Sequence, residues 1–168
     1  FMEFNARHGF VAGIDIGPTR TRLAVGDLRG EALAHRLIET PTTGDPTALL
    51  TSVAADLRSL MREAGVPASR MLAVAAGAPG AVDPRRGLVM ALAPNLGGGW
   101  SQVPMAATLR KALGAPVVVE NDVNLAILGE RWRGAAKGHA TCAFISIGTG
   151  IGAGIVVKGE LHHGDHFV

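Results

Sequence analysis

Asp122 stands where an apolar run stops on a cluster of polar side chains, Val117-Val118-Val119-Glu120-Asn121-Asp122-Val123-Asn124. A carboxylate at a strand end, in the first turn of the helix that follows, sits where the helix dipole favours its ionised form. That makes Asp122 a candidate general base, able to orient a poor nucleophile such as a sugar hydroxyl and accept its proton during phosphoryl transfer. Asn121 and Asn124 add amide donors and acceptors of the kind that read sugar hydroxyls. The same pattern also describes a plain helix cap.

Two glycine-threonine turns flank this carboxylate, each following a strand-like run. The first is Gly13-Ile14-Asp15-Ile16-Gly17-Pro18-Thr19-Arg20 and the second Ile147-Gly148-Thr149-Gly150-Ile151-Gly152. Small residues let a phosphate approach backbone N–H groups closely, and a threonine hydroxyl adds one more donor. Asp15 could hold a hydrated Mg²⁺ while Thr19 and the turn face phosphate. Pro18, however, has no N–H and fixes φ where a phosphate cradle wants a free donor; Arg20 is a cation that partly compensates. The second turn is equally a phosphate wrap or a tight hairpin.

Other signals carry less. A dinucleotide fingerprint starting at Gly148 needs glycine at 153, where alanine stands, and the turn joins two strands instead of opening a helix. His162, His163 and His166 lack companion carboxylates or cysteines at metal-ligand spacing. Cys142, the single cysteine, reads as a small core residue, Trp100 as core sooner than a sugar platform, and Arg131, Arg133 and Lys137 as a solvated helix end.

The elements that must position these residues follow from periodicity and turn chemistry. Val11–Ile16, Thr21–Gly26 and Ala32–Ile38 read as consecutive strands. Asp45-Pro46 starts a helix whose face is Leu49, Leu50, Val53, Leu57, Leu60 and Met61, ending at Gly65. Met71–Ala76 is a strand running into Gly77-Ala78-Pro79-Gly80. A small hairpin over Val82–Met90, a helix over Val103–Leu113, a strand over Ala115–Glu120 and a helix over Asn121–Gly134 come next. Thr141–Ile147, Gly152–Lys158 and Glu160–His162 form an antiparallel meander.

With 168 residues, 48% hydrophobic and 18% charged, the chain has material for one or two small globular domains. Every apolar run is interrupted before it reaches membrane-spanning length, and the N-terminus shows no signal-peptide pattern, so the cytoplasm is the expected compartment and no membrane the expected partner. The net charge of +2 comes without a basic stripe or aromatic interleaving, which argues against nucleic-acid binding by this chain itself. The C-terminal residues read as a loop after a hairpin, and the chain is expected to be part of something longer.

Taken in order and spacing, Gly13-Ile14-Asp15-Ile16-Gly17, Gly77-Ala78-Pro79-Gly80-Ala81-Val82-Asp83, Ala93-Pro94-Asn95-Leu96, Val119-Glu120-Asn121-Asp122-Val123-Asn124 and Ile147-Gly148-Thr149-Gly150-Ile151-Gly152 resemble the ROK family (repressors, open reading frames and sugar kinases) of the actin-like, sugar-kinase superfamily. The resemblance implies an α/β fold: a ribonuclease-H-like lobe with a mixed βββαβαβα sheet over residues 10–120. A hinge helix and the first strands of a second such lobe would occupy 121–168. It implies that Asp15–Thr19 and Gly148–Gly152 are the two phosphate motifs. Gly80, Asn95, Asn121 and Asp122 would line the sugar pocket, with Asp122 as catalytic base. It implies ATP and Mg²⁺ in a kinase, and a structural zinc only in a further segment that also supplies a sugar-binding Glu and His.

Family kinases usually carry Gly-Gly-Thr-Lys where this chain has Gly17-Pro18-Thr19-Arg20. The lead-in Phe4-Asn5-Ala6-Arg7-His8-Gly9 looks like the joint to a winged-helix domain in the family's regulators. The expectation is therefore the sugar-binding part of a sugar-responsive transcriptional regulator that touches DNA through a domain outside this chain. An ATP-dependent hexose kinase is the alternative, and a sugar-binding module with neither activity a third. The ligand would be a sugar or sugar phosphate, and the assembly a homodimer or tetramer.

Overall fold

The computed structural model describes residues 1–41, 44–91, 100–148 and 150–165. Its central feature is a five-stranded mixed sheet of β1 (Phe10–Ile16), β2 (Arg20–Asp27), β3 (Ala32–Glu39), β4 (Met71–Ala78) and β8 (Val117–Asn121), in the order β3-β2-β1-β4-β8. β1, β4 and β8 run parallel, while β2 is antiparallel to both its neighbours. Parallel neighbours need crossovers, and α1 (Pro46–Glu63) and α2 (Met105–Leu113) supply them. The alternation in β1 places Phe10, Ala12, Ile14 and Ile16 against Leu50, Val53 and Leu57 of α1 and Met105 and Leu109 of α2 in one core.

Local chemistry sets the element ends. Asp45 accepts a hydrogen bond from Thr47 N at 2.8 Å and Pro46 opens α1. The helix stops at Gly65, whose φ of +68° a β-carbon would disfavour. The crossover between β4 and β8 also carries β5 (Ala81–Asp83), β6 (Leu88–Ala91) and β7 (Ser101–Val103), a small antiparallel sheet. Sequence periodicity puts Val103 in the helix, whereas its pairing with Val89 makes it the end of β7, and the helix begins two residues later.

After β8 the chain enters α3 (Asp122–Arg133) and then the meander β9 (Cys142–Ile147), β10 (Ile151–Val157) and β11 (Glu160–His162). β10 presses closely on α3. A β-carbon on Gly152 would lie 2.8 Å from Val123 Cγ2, and one on Gly154 would lie 2.6 Å from the Val123 carbonyl oxygen. At its other end α3 reaches the β2–β3 turn. There the Trp132 ring covers Gly30, and Arg133 pairs with Glu31 at 2.9 Å while donating to the Arg29 carbonyl. The lead-in is likewise docked, Arg70 donating to the carbonyls of Arg7 and His8 and Leu28 N to that of Ala6. Among the described residues, no helix is long and apolar enough to cross a membrane.

Candidate functional site

The register brings Asp15, Gly77 and Glu120 into one row across β1, β4 and β8. All three lie near the carboxyl ends of parallel strands, the edge where open α/β sheets bind ligands. They alternate with the core-facing Ile14, Ile16, Ala76, Ala78 and Val119, so they share the opposite face. α3 begins over that face. A β-carbon on Gly77 would sit 3.4 Å from Asp122 Cα and 3.1 Å from Leu125 Cδ1, so a residue without a side chain lets the helix start against the sheet.

Asp122 is half-buried, and its carboxylate Oδ1 accepts from Val123 N at 2.9 Å. Burial raises its pKa above the ordinary aspartate value, the Val123 hydrogen bond opposes the rise, and the negative charge of Asp15 adds to it. The direction is opposite to that of the helix dipole alone, with burial as its first cause. Asp15 faces Arg22 directly across the β1–β2 ladder and accepts from its Nη1 at 3.1 Å.

The Asn121 side chain makes three hydrogen bonds. Its Oδ1 accepts from Val123 N and Asn124 N at 2.9 and 3.1 Å, which caps α3, and its Nδ2 donates to the Gly80 carbonyl at 3.0 Å. Gly80, at φ +96°, turns the chain from β4 into β5 beside this cap. Glu120, one of the few buried acids, accepts from Asn121 N at 2.8 Å and Asn124 Nδ2 at 3.1 Å through Oε1. Its Oε2 lies 2.7 Å from His163 Nε2. Neither Glu120 nor His163 is a site candidate on sequence grounds. The available signal was a charged residue ending an otherwise apolar strand.

The first glycine turn is tied down from behind. Gly17 N donates to Arg20 O at 3.0 Å, Thr40 N to Thr19 O at 2.9 Å, and the Thr40 hydroxyl to Gly17 O at 2.8 Å, with Thr21 Oγ1 3.0 Å from Thr40 Oγ1. Sequence reasoning missed this threonine pair. In the second turn Gly148 N donates to Gly150 O at 2.9 Å. Gly152 lies inside β10 against Val123, so close packing on α3 accounts for it. The Gly17 and Gly148 N–H groups are thus donated within their own turns and Pro18 has none, while Thr19 and Arg20 stand exposed beside them.

Thr149 and Asn95, and His166 of the histidine trio, lie outside the described residues. Trp100 is a core residue. Cys142, expected in the core, is half-exposed on β9 beside an open cleft of about 520 Å³ lined by Ile127, Glu130, His139 and Phe144. Arg131 donates to the carbonyls of His139 and Gly159, so it and Arg133 brace the helix instead of forming a freely solvated end. Among the described residues no group of three or more His, Cys, Asp or Glu side chains could hold a metal ion.

A βββαβαβ lobe with carboxylates at the ends of β1 and β8, joined by a helix to a second meander, defines the actin-like sugar-kinase class. The ROK family model matches residues 11–168, and the chain belongs to that family. It is 37% identical over 159 residues to a glucokinase of Streptomyces coelicolor, covering 95% of this chain and 47% of that protein. It is 31% identical to a putative xylose repressor of Caldicellulosiruptor sp., covering 97% of this chain and 40% of the repressor. The crystal structure of a ROK glucokinase from Streptomyces griseus in complex with glucose and AMPPNP superposes with a TM-score of 0.83 at 33% identity, over 95% of this chain and 48% of that one. The chain therefore spans about half the length, or less, of these relatives.

Proposed function

We propose that this chain is the sugar-binding portion of a ROK-family, sugar-responsive transcriptional regulator, with residues 10–120 as one lobe and 121–168 as hinge helix and start of the next. The pocket lies at the ends of β1, β4 and β8. Asp122 accepts a hydrogen bond from a sugar hydroxyl, Asn95 and the remaining Asn121 N–H add contacts, and Gly80 gives the ring room. Sugar binding between the lobes shifts the population of a dimer or tetramer between DNA-competent and DNA-incompetent forms, through a domain outside this chain.

The observation that carries the regulator reading is the first glycine turn. Its Gly17 N–H is donated to Arg20, Pro18 has none, and Asp15 is engaged by Arg22. Pro18 and the Asp15–Arg22 pair weaken this turn as a nucleotide site, while Thr19 and Arg20 remain exposed.

One observation favours the alternative, a hexose kinase. The raised pKa of Asp122 suits a proton acceptor for a sugar hydroxyl. In that reading ATP, with Mg²⁺, supplies the transferable phosphoryl group, and Gly148, Thr149, Gly150 and Gly152 belong to its binding loop.

The test uses the full-length protein. Calorimetry against D-glucose, D-xylose and other hexoses and pentoses, with and without Mg-ATP, is expected to show sugar binding that does not need ATP and no sugar-dependent ADP release. Sugar-dependent ADP release that disappears in Asp122→Asn makes the protein a kinase.

A further inference from the structure

We propose that Glu120 and His163 form a positioning pair that fixes the Asn121-Asp122 corner by tying it to the second-lobe meander. This rests on the sugar-binding reading of that corner. Glu120, one residue before the end of β8, has its side chain 10% exposed, and a buried carboxylate is costly unless its oxygens find donors. Oε1 takes two, Asn121 N at 2.8 Å and Asn124 Nδ2 at 3.1 Å, both in the turn that carries Asp122. Oε2 takes His163 Nε2 at 2.7 Å, from the segment after β11, 43 residues along the chain. Among the described residues His163 is the one side chain within salt-bridge distance able to bring a positive charge to Glu120.

The pair adds a direct link between two sheets that both pack on α3. Asn121 N cannot turn away from Oε1 without releasing its own cap on Val123 N and Asn124 N. A shift of the meander at His163 is therefore transmitted through the Glu120 carboxylate to the backbone of Asn121 and to the start of α3. A single carboxylate thus couples the placement of the second lobe to the angle at which Asp122 meets a sugar. Neither residue touches sugar in this scheme; both act through Asn121, Asn124 and Asp122.

The experiment is a double-mutant cycle in the full-length protein, read by amide hydrogen exchange and by the Kd for D-glucose as probe. His163→Ala is expected to speed exchange at Val123 and Asn124 at least fivefold and to weaken glucose binding by a similar factor. His163→Gln, whose amide can still donate to Oε2, should stay within twofold of the parent on both readouts. Because the two residues act as a unit, Glu120→Ala with His163→Ala should be no worse than Glu120→Ala alone. The proposal is overturned by additive losses. It is equally overturned if His163→Ala leaves exchange at Val123 and Asn124 unchanged, or speeds it equally at the remote Val53 and Leu57 of α1. A parent protein that binds no sugar, with these amides still slowed by the pair, removes the sugar-binding reading and leaves the positioning role standing.

Discussion

Gly77 and Asp122 meet across the sheet face at contact distance: an added β-carbon would lie 3.4 Å from Asp122 Cα and 3.7 Å from its Cβ, with the Leu125 Cδ1 methyl tighter at 3.1 Å. The helix carrying the candidate base is seated on a glycine in the strand that separates Asp15 from Glu120.

Gly77→Ala should therefore tighten the contact with the start of α3 without displacing its backbone. The Leu125 methyl must give by a few tenths of an ångström, and as the end of a flexible side chain it can, so the cost should stay at or below about 1 kcal/mol, the low end of overpacking. Thermal unfolding measures that small cost, and the sugar Kd should stay near the parent's because the Asp122 atoms remain at ordinary contact distance.

Gly154→Ala should cost more than Gly77→Ala, since the new carbon would meet a backbone carbonyl at 2.6 Å and Ile127 Cγ2 at 2.8 Å. A backbone atom cannot rotate aside as a leucine methyl can. Equal unfolding temperatures for the two variants would contradict the close seating of β10 on α3.

Asp122→Asn should stabilise the protein at neutral pH while weakening its hydrogen bond with a sugar hydroxyl, which loses its charge assistance. The folded-state pKa of Asp122 is raised, chiefly by burial, so the folded protein binds that proton more tightly than the unfolded chain. The ionised group lowers stability at pH values above its folded pKa, and this cost fades as pH falls toward the ordinary value of 3.8. The gain from Asn should accordingly be largest near pH 7 and shrink toward pH 4, as read by unfolding temperature across that range. A gain that grows on acidification would contradict burial as the dominant influence.

Asn121→Ala and Asn121→Asp should separate capping from the Gly80 contact. Alanine removes the acceptor for two helix N–H groups and should cost about 1–2 kcal/mol. Aspartate keeps the cap but sets a carboxylate oxygen against the Gly80 carbonyl, which the amide now meets at 3.0 Å. It should hold the helix while opening the Gly80 turn, so sugar affinity should fall further than stability does.

Most of the architecture is legible in the sequence because periodicity and punctuation agree there. Asp45-Pro46 and Gly65 bracket α1, and the Leu49 to Met61 stripe is the face it buries. β7 was not legible: Ser101–Val103 is three residues long and depends on pairing with β6, which no local pattern announces. The site divides in the same way. Asp122 and Asn121 stand out as polar groups ending an apolar strand, and their placement together follows from adjacency. What the sequence could not disclose is which contacts their atoms make. That Asn121 donates to Gly80, that Thr40 reaches back to Gly17, and that burial raises the pKa of Asp122 all depend on tertiary neighbours.

The contact of Trp132 with Gly30 has a spectroscopic consequence. The chain has two tryptophans, Trp100 at 7% exposure in the core and Trp132 at 57% over the β2–β3 turn. Any swing of α3 relative to the five-stranded sheet must slide the Trp132 indole across Gly30 and alter its exposure to water, while Trp100 stays in the core. Native emission, with Trp132→Phe as the silent control, should then report the angle of the helix in real time as a sugar is added, without a label.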